Sequence, residues 1–292
     1  MRGNDQQAYD RGTSLFSPDG RIYQVEYARE AVSRGAPSVG IRTADGVVLA
    51  AMSRTSSPLM EAESIEKLHK LDDHVATASA GHVADARKLI DLARRQTQVN
   101  QLRYGEPIGI ETLTKHVTDH IQENTQLGGT RPYGAALLIG GIENGEPRLF
   151  GADPSGTPHE WKATVIGDGR DEIQSTLEAE WSDSLTVEEG VELAVTALSE
   201  YADDLTAADL SIATITAADG YRMLSDEDVA DVVPDLPVDG TETADDDETA
   251  GEEATDGETD GDEEEADDAT GDDGDTTDDG DTTDDGDATD DE

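Results

Sequence analysis

The distribution of charge limits how much of this chain can form a folded domain. Residues 234–292 contain 30 acidic residues and no lysine or arginine. After Val238 this segment consists almost entirely of Asp, Glu, Thr, Gly and Ala, which bury too little apolar surface to offset the entropy lost on ordering. We therefore predict a disordered acidic tail over 234–292 and a folded domain before it.

The part before the tail is also acidic. It holds 39 of the 69 acidic residues and all 20 basic residues, which gives it a net charge of −19. This charge excludes a nucleic-acid-binding protein that works through a basic face. Only five residues are lysine, and arginines outnumber them three to one. We interpret this as adaptation to a high-salt cytoplasm, where ~1 M salt shortens the screening length to about 3 Å. An ordinary acidic protein is the alternative.

Missing sequence features exclude further classes of protein. No cysteine is present, which removes disulfides, zinc ribbons and thiol catalysis. No apolar run approaches the ~18 residues of a membrane span, and the first residues lack the apolar stretch of a signal peptide. We expect a soluble cytoplasmic protein without a nucleic-acid or membrane partner.

Hydrophobic periodicity predicts groups of strands that alternate with helices. Helices are expected over residues 21–34, 84–99, 111–124, 171–181 and 187–201. Strands are expected over 38–42, 47–51, 67–71, 74–79, 133–140, 148–152, 161–166, 210–216 and 221–224. Thr186 and Glu189 form a capping box before the last helix. Gly140-Gly141 and Asn144-Gly145 are expected to mark turns.

The order of these elements indicates the fold class. Each sheet has two faces to bury and each amphipathic helix has one, so two sheets packed face to face and covered by helices satisfy all of them. We predict an α+β layered sandwich. The alternative is a doubly wound parallel fold, which requires single helices between single strands.

Two patterns suggest metal binding only weakly. His116 and His120 are spaced like two zinc ligands on one helix, but no third ligand follows at a recognisable spacing. The tail repeats Asp-Thr-Thr-Asp-Asp-Gly at 275–280 and 281–286, without apolar residues that could stack into a calcium-binding core. We interpret them as solvent-facing histidines and a solvated polyanion, and we expect no metal and no cofactor.

Several motifs resemble those of archaeal proteasome α subunits from halophiles. Residues 9–11 (Tyr-Asp-Arg), 16–21 (Phe-Ser-Pro-Asp-Gly-Arg) and 24–28 (Gln-Val-Glu-Tyr-Ala) together resemble the N-terminal signature of that family. The resemblance continues through motifs at 65–67, 80–87, 129–134 and 153–156, and it covers residues 8–233. It implies a four-layer αββα sandwich with an N-terminal gate segment over 1–20, the folded domain over 21–233 and the tail over 234–292.

The resemblance implies a non-catalytic subunit of the 20S proteasome. In that family seven α subunits form an outer ring, homomeric or mixed, that templates a ring of β subunits and gates the entry of protein substrates. An AAA ATPase activator, the proteasome-activating nucleotidase, docks on the ring for ATP-dependent protein degradation. The β subunits cut peptide bonds with an N-terminal threonine whose own amine is the base. Aligning residues 38–41 with their first strand places Ala36 at that threonine, so we expect no catalytic residue here.

Five residues match positions that control the axial gate in this family. Tyr9, Asp10 and Arg11 match the gating motif, and Pro18 and Tyr27 match residues that hold the turn and support the open state. Pro18 would fix φ and stiffen the turn, and the phenol of Tyr27 could hydrogen-bond back to it. The alternative is a frayed N-terminus with a buried tyrosine.

Four residues lie at positions of the family's activator-docking pocket between neighbouring α subunits, and three of them match the family. There Lys67 receives the C-terminal carboxylate of the ATPase, whose last three residues are a hydrophobic residue, tyrosine and any residue. An ammonium suits this role as a point cation. Gly81 and Val83 match other pocket positions. His82 replaces the aliphatic residue common there and can charge near neutrality.

Three alternatives remain for these assignments. A self-processing threonine peptidase of the same fold would need cleavage before Thr13, which lies on the wrong side of the leading helix. A polyanionic binding module would use residues 234–292 to capture cations or basic partners. Lys67 could instead form a surface ion pair with Glu63 or Glu66, which would contribute little stability.

Overall fold

The computed structural model describes residues 22–53, 57, 59–61, 64–126, 130–202 and 205–233. The α-helices in these ranges are α1 (Tyr23–Ser33), α2 (Val83–Tyr104), α3 (Ile110–Gln126), α4 (Arg170–Glu180), α5 (Val187–Tyr201) and α6 (Asp226–Val232). A short 3₁₀ helix covers Ala207–Asp209. None of these helices is long and apolar enough to cross a membrane. The predicted gate segment 1–20 and the predicted tail 234–292 lie outside the described residues.

Ten strands form two antiparallel sheets in this part of the chain. The strands are β1 (Ser38–Arg42), β2 (Gly46–Met52), β3 (Leu68–Asp72), β4 (Val75–Gly81), β5 (Ala135–Glu143), β6 (Glu146–Ala152), β7 (Pro158–Glu160), β8 (Ala163–Ile166), β9 (Leu210–Thr216) and β10 (Gly220–Met223). Sheet I has the order β10-β9-β2-β1-β8, and sheet II has the order β3-β4-β5-β6-β7. All neighbouring strands pair antiparallel, so the doubly wound parallel alternative is wrong.

Strand β2 shows why the two sheets pack face to face. All seven of its residues are buried, and its sequence is a continuous apolar run without alternating polar residues, as expected for a strand with both faces covered. Val47, Leu49 and Ala51 pack in the core between the sheets. Their neighbours Val48 and Ala50 point to the opposite face, where they pack against helices. The expected α+β sandwich is confirmed.

Helices cover the outer face of each sheet. The apolar face of α2 packs on sheet II together with α3, and its buried residues are those expected from the sequence: Ala86, Leu89, Ile90, Ala93 and Thr97. The apolar face of α5 packs on sheet I together with α4. The layer order is therefore helices, sheet I, sheet II, helices.

The prediction of a turn at Gly140-Gly141 is wrong. Both glycines lie inside β5, where they pair with Ala76 and Val75 of β4. The turn is at Asn144-Gly145, whose φ values of 55° and 85° favour these residue types. The glycines serve close packing instead, because a Cβ at Gly140 would lie 2.6 Å from a methyl group of Val47.

Other differences lie at the ends of elements. Helix α2 continues five residues beyond the predicted end at Val99 and stops where Gly105 adopts a left-handed conformation with φ 72°. The sequence analysis missed β7 and α6. Helix α6 begins with a capping box of Ser225 and Asp228.

Removing the N-cap of α5 is expected to destabilise the fold. The Thr186 hydroxyl accepts a hydrogen bond from the Glu189 backbone N–H, and the Glu189 carboxylate accepts one from the Thr186 N–H. Thr186→Ala should lower the free energy of unfolding by about 1 kcal/mol, whereas Thr186→Ser, which keeps the hydroxyl, should cost much less. Urea unfolding in concentrated KCl at fixed protein concentration measures both changes. Equal losses for the two variants would contradict the capping role.

Candidate functional site

Two adjoining cavities lie beside the C-terminal end of α1. The first, which we call the Lys67 cavity, has a volume of about 260 Å³, and its lining includes Arg34, Glu66, Lys67, His69, Gly81, Val83 and Arg87. The second, which we call the Tyr27 cavity, has a volume of about 340 Å³ and is lined by Tyr27, Glu30, Ala31, Arg34, Gly35, Gly81 and His82. The structure therefore gathers all the candidate residues that it describes around Gly81.

The ends of several elements position these residues. Lys67 directly precedes β3, and Gly81 is the last residue of β4. His82 is the N-cap of α2, and Val83 is its first residue. Because β4 leads directly into α2, the sequence Gly81-His82-Val83 forms one wall shared by the two cavities.

The Lys67 side chain is fixed by backbone carbonyls. Its Nζ donates hydrogen bonds to the carbonyl oxygens of Ala36 at 2.5 Å, Pro37 at 2.9 Å and Met52 at 3.1 Å. Ala36 and Pro37 precede β1 and Met52 ends β2, so the ammonium joins the ends of these strands to the start of β3. Glu66, one alternative partner, lies beside His69 with its Oε2 3.9 Å from Nδ1, and Glu63 lies outside the described residues.

Gly81 can be replaced by no other residue without strain. Its φ is 101°, and a Cβ at this position would lie 2.3 Å from the carbonyl oxygen of Gly134. The same oxygen accepts a hydrogen bond from the His82 backbone N–H at 2.8 Å. The close contact between the Gly81-His82 turn and Gly134 therefore sets the shape of the shared wall.

A buried carboxylate holds the segment that contains Gly134. Asp85 is 3% exposed, and its two oxygens accept hydrogen bonds from both terminal nitrogens of Arg131, at 2.6 and 2.9 Å. Asp85 also accepts one from the Gly134 backbone N–H at 2.9 Å. Burial acts to raise the pKa of Asp85, but Arg131 and the Gly134 N–H outweigh it and hold that pKa below its usual value. The Asp85–Arg131 pair thus fixes the position of Gly134, which contacts the Gly81-His82 turn.

His82 and Val83 are exposed at the mouths of the cavities. The His82 side chain is 60% exposed, with its Nδ1 4.0 Å from Oδ2 of Asp85, and Val83 is 64% exposed. Tyr27 on α1 is 47% exposed, so the alternative of a buried tyrosine is wrong for this residue. The other predicted gate residues, Tyr9, Asp10, Arg11 and Pro18, lie outside the described residues.

His69 lies on the inner side of the Lys67 cavity and is 9% exposed. Burial lowers the pKa of His69, and the positive charges of Arg94 and Arg87 lower it further, while Glu66 acts in the opposite direction. The neutral imidazole is therefore favoured in the folded chain. The lining of the cavity therefore combines this neutral histidine with three basic residues, Lys67, Arg34 and Arg87, and one acidic residue, Glu66.

The interpretation of His116 and His120 as solvent-facing histidines holds for His116, which is exposed. His120 is half-buried instead, and its Nε2 lies 3.0 Å from the hydroxyl of Tyr133. Among the residues that the structure describes, no cluster of three or more His, Asp and Glu side chains could hold a metal ion.

Sequence reasoning missed Arg34, His69, Arg87 and the Asp85–Arg131 pair. Asp85 and Arg87 lie in the 80–87 motif and Arg131 lies in the 129–134 motif, both of which the sequence analysis used. The sequence therefore contained both members of the pair, because the motif at 80–87 includes Asp85 and the motif at 129–134 includes Arg131. That pairing is not visible from spacing alone, since 46 residues separate its members.

Loss of the Asp85 charge is expected to destabilise the wall. Asp85→Asn removes one charge-assisted hydrogen bond to Arg131 and should lower the free energy of unfolding by about 1–3 kcal/mol. Asp91→Asn is the matched control, because Asp91 is exposed on the same helix and should change stability little. Urea unfolding in concentrated KCl measures both. If Asp85→Asn lowered the free energy of unfolding no more than Asp91→Asn does, the Asp85–Arg131 pair would not stabilise this wall.

The fold should lose stability on mild acidification because of His69. An unfolded histidine has a pKa of about 6.5, and the folded state lowers that value. As the pH falls below about 6.5, the unfolded chain therefore binds the proton first, and the free energy of unfolding decreases. His69→Gln should flatten this decrease between about pH 7 and pH 5, whereas His116→Gln should preserve it. Unfolding curves at several pH values test this, and an unchanged slope in His69→Gln would contradict it.

Comparison with known proteins identifies the family. The model of the proteasome subunit family matches residues 32–215, and the model of the N-terminal signature of A-type proteasome subunits matches residues 9–31. The proteasome alpha 2 subunit of Haloferax volcanii is 62% identical over 239 residues, which are 82% of this chain and 96% of the relative. The proteasome alpha subunit of Natronomonas pharaonis is 63% identical over 233 residues, which are 78% of this chain and 91% of the relative.

A second Haloferax volcanii protein, the proteasome alpha 1 subunit, is 62% identical over 232 residues, which are 78% of this chain and 92% of the relative. The relatives are therefore α subunits from halophilic archaea. The expected resemblance is confirmed. The chain belongs to the proteasome family, as an α subunit of the 20S core.

Proposed function

We propose that this chain is a structural and regulatory subunit of the proteasome, without peptidase activity of its own. Seven copies, alone or mixed with a second α subunit, form an outer ring that templates a β ring, gates substrate entry and docks an ATPase activator. The observation that carries this proposal is the arrangement of Tyr27, Lys67, Gly81, His82 and Val83 around two adjoining cavities. These residues come from separate segments of the sequence. Tyr27 lies at a family position for gating, and the other four lie at positions of the docking pocket, where His82 replaces the common aliphatic residue.

The residue at position 36 and its neighbours support the proposal that this subunit has no peptidase activity. Ala36 occupies the position that aligns with the β-subunit threonine, and it follows α1 in an uninterrupted chain, so it offers neither a nucleophilic side chain nor a free amine. Lys67, which matches the region of the β-subunit catalytic lysine, donates its hydrogen bonds to backbone carbonyls of Ala36, Pro37 and Met52. A lysine bound in this way holds the strand ends together.

Docking would use the Lys67 cavity as a receptor for a C-terminal carboxylate. The activator is an AAA ATPase, the proteasome-activating nucleotidase, whose chains end with a hydrophobic residue, tyrosine and any residue. Positive charges near the cavity favour the carboxylate, and exposed Val83 offers apolar contact for the side chains before it.

Gating would couple to docking through α1. Tyr27 lies in the Tyr27 cavity together with Gly81 and His82, which also belong to the docking wall. A ligand that shifts this wall would therefore act directly on a residue assigned to the gate. Tyr9, Asp10, Arg11 and Pro18 would complete the gate from the segment 1–20.

The remaining assignments follow from the family and the composition. The partners are β subunits, the ATPase and protein substrates, with no nucleic acid, membrane or cofactor, in the cytoplasm. We assign residues 21–233 to the α-type domain, and we propose that the acidic segment 234–292 adds hydration in concentrated salt and tunes contacts at the ends of the barrel. The occurrence of two α subunits in Haloferax volcanii is compatible with mixed rings.

Electron microscopy of the purified full-length chain in roughly molar KCl, a salt level that screens the repulsion between acidic copies, tests this proposal together with a fluorogenic peptide assay. We expect seven-fold rings without peptidase activity. A monomer with activity would overturn the proposal and favour the self-processing threonine peptidase, and intact-mass measurement would then show whether the mature chain begins at Thr13.

A truncated chain that ends at residue 233 is the control for the tail. Because the tail holds no basic residue and little apolar surface, its removal should leave the rings intact in concentrated salt. Loss of the rings on truncation would contradict the proposed role of the tail and favour a function centred on the polyanion.

A further inference from the structure

An open groove lies at the lateral edge of the sandwich that β7 and β8 form. It has a volume of about 540 Å³, and we call it the Trp161 groove. Its lining includes Leu138, His159, Trp161, Thr164, Ile166 and Arg170. Strand β7 is the last strand of sheet II and β8 is the last strand of sheet I. In the described part of the chain, the groove therefore lies between two strand edges that pair with no further strand.

The Trp161 groove contains hydrogen-bond donors without acceptors. Thr164 is 2% exposed, and its hydroxyl has no partner among the residues that the structure describes. Within the same residues, the indole N–H of Trp161 has no acceptor, and exposed Arg170 has neither a hydrogen bond nor an ion pair. Because a buried polar group without a partner costs free energy, a segment that brings carbonyl oxygens and a carboxylate into the groove would stabilise it.

The loop over residues 57–61 has the complementary chemistry. Leu59 is 93% exposed, the highest value among the large hydrophobic residues of the described ranges, and Glu61 is exposed beside it. A turn presents Leu59, since the Leu59 N–H donates a hydrogen bond to the Ser57 hydroxyl at 3.2 Å and the Met60 N–H donates one to the Ser57 carbonyl at 3.0 Å. Burial of Leu59 in a contact would remove its apolar surface from water.

The loop and the groove lie at opposite lateral edges of the sandwich. The loop leads from β2 into β3, and β3 and β7 are the two outer strands of sheet II. Four strand spacings of about 4.8 Å place these two edges about 19 Å apart. One copy of the chain can therefore contact a second copy through the loop and a third copy through the groove.

The loop and the groove also lie at the same end of the strands. Ile166 at the end of β8 pairs with Ser38 of β1, and Ser38 pairs with Ala51 near the end of β2. The loop follows directly after β2 ends at Met52. Along the strand direction, the loop therefore begins at the level of the groove.

A closed ring requires this arrangement. Each copy in a ring of more than two copies contacts its two neighbours through different surfaces. Rotation about the ring axis does not change the height along that axis, so the two surfaces must lie at the same level. For an axis along the strands, the loop and the groove meet this condition.

Another exposed apolar pair, Leu102 and Tyr104, does not meet this condition. These residues lie at the end of α2, which runs towards the far end of β3, where the Thr97 hydroxyl donates a hydrogen bond to the Leu71 carbonyl oxygen. Insertion of Leu102 into the groove would shift each copy along the axis and give an open helix instead of a ring.

We propose that the Trp161 groove receives the loop 57–61 of the adjacent copy in the ring. Leu59 packs against Trp161 and Ile166, and the Glu61 carboxylate binds the Arg170 guanidinium. These contacts act at short range, so they persist where ~1 M salt reduces the screening length to about 3 Å. The inference rests on the proposed ring and names the surfaces that close it.

Exchange of the two charges tests the pairing of loop and groove. Glu61→Arg and Arg170→Glu each place like charges together, and the variant with both changes restores opposite charges. Leu59→Ser removes the apolar anchor, and Leu102→Ser is the matched control at the other end of the strands. Sedimentation velocity of the full-length chain in molar KCl, over a series of concentrations, measures the concentration at which half of the chains are assembled. Circular dichroism checks that each variant is folded.

We expect Leu59→Ser to raise the concentration for half assembly about tenfold or more, because it removes a buried leucine from every contact in the ring. Each single charge reversal should raise this concentration several-fold, and the double variant should return close to the wild type. Leu102→Ser should assemble like the wild type.

Cross-linking tests the contact directly. The chain has no cysteine, so introduced cysteines react without background. A chain with Leu59→Cys and His159→Cys, treated as rings with a short bismaleimide, should give a ladder of covalent oligomers on a denaturing gel. A chain with Leu102→Cys and His159→Cys should give none.

The possible failures are distinguishable. If the wild type forms rings but the double charge variant does not recover assembly, or the Leu59→Cys and His159→Cys chain gives no ladder, the loop does not enter the groove and the inference is wrong while the ring stands. If Leu102→Ser weakens assembly as much as Leu59→Ser, the inference is likewise wrong. If the wild type remains monomeric, the proposed ring itself is overturned.

Discussion

Close packing of the two sheets is the constraint on which the rest of this structure depends. A Cβ at Gly40 would lie 2.9 Å from a methyl group of Leu149, and one at Gly140 would lie 2.6 Å from Val47, so the sheets approach each other where side chains are absent. Because the inner faces meet each other, the outer faces need helices to bury them. At one end of the sandwich the Ser38 hydroxyl donates a hydrogen bond to the Ser79 carbonyl oxygen and joins sheet I to sheet II.

The candidate site lies at this joined end. The start of β1, the end of β2, the start of β3 and the end of β4 converge there, and the Lys67 ammonium ties three of these segments together through backbone carbonyls. The Asp85–Arg131 pair fixes the fourth segment from the other side by holding Gly134 against Gly81. Hydrogen bonds between separate segments therefore hold this end of the fold together, and His82 and Val83 are exposed at its rim. This arrangement suits the proposed receptor for a short peptide terminus.

The sequence predicted the elements that carry strong periodicity or a capping signal. Helix α5 and strand β9 have the predicted bounds, because Thr186 caps the helix and apolar residues recur regularly along both. Local patterns gave wrong predictions where contacts between distant segments determine the structure. In β5, Gly140-Gly141 resembles a turn in sequence, but both glycines lie inside the strand, and Gly140 packs against Val47 of the other sheet. Strand β7 has only three residues, too few to show a period. Helix α6 did carry a capping signal at Ser225, which the sequence analysis passed over.

Prediction of the site depended on the family resemblance more than on chemistry. The motif at 80–87 located Gly81, His82 and Val83, but no motif showed that the Lys67 ammonium donates hydrogen bonds to backbone carbonyls of three other residues. Likewise, neither the motif at 80–87 nor the motif at 129–134 alone shows that Asp85 and Arg131 pair. Hydrogen bonds between distant segments have no signature in a single sequence.

Cryo-electron microscopy of the full-length chain in concentrated KCl tests the central claim most directly, with a peptide added that ends in a hydrophobic residue, tyrosine and alanine and has a free C-terminal carboxylate. The structure should contain seven copies in a ring, with the peptide carboxylate in the Lys67 cavity. A ring in which the peptide is absent from this cavity would contradict the claim that this end of the sandwich is the receptor for an activator.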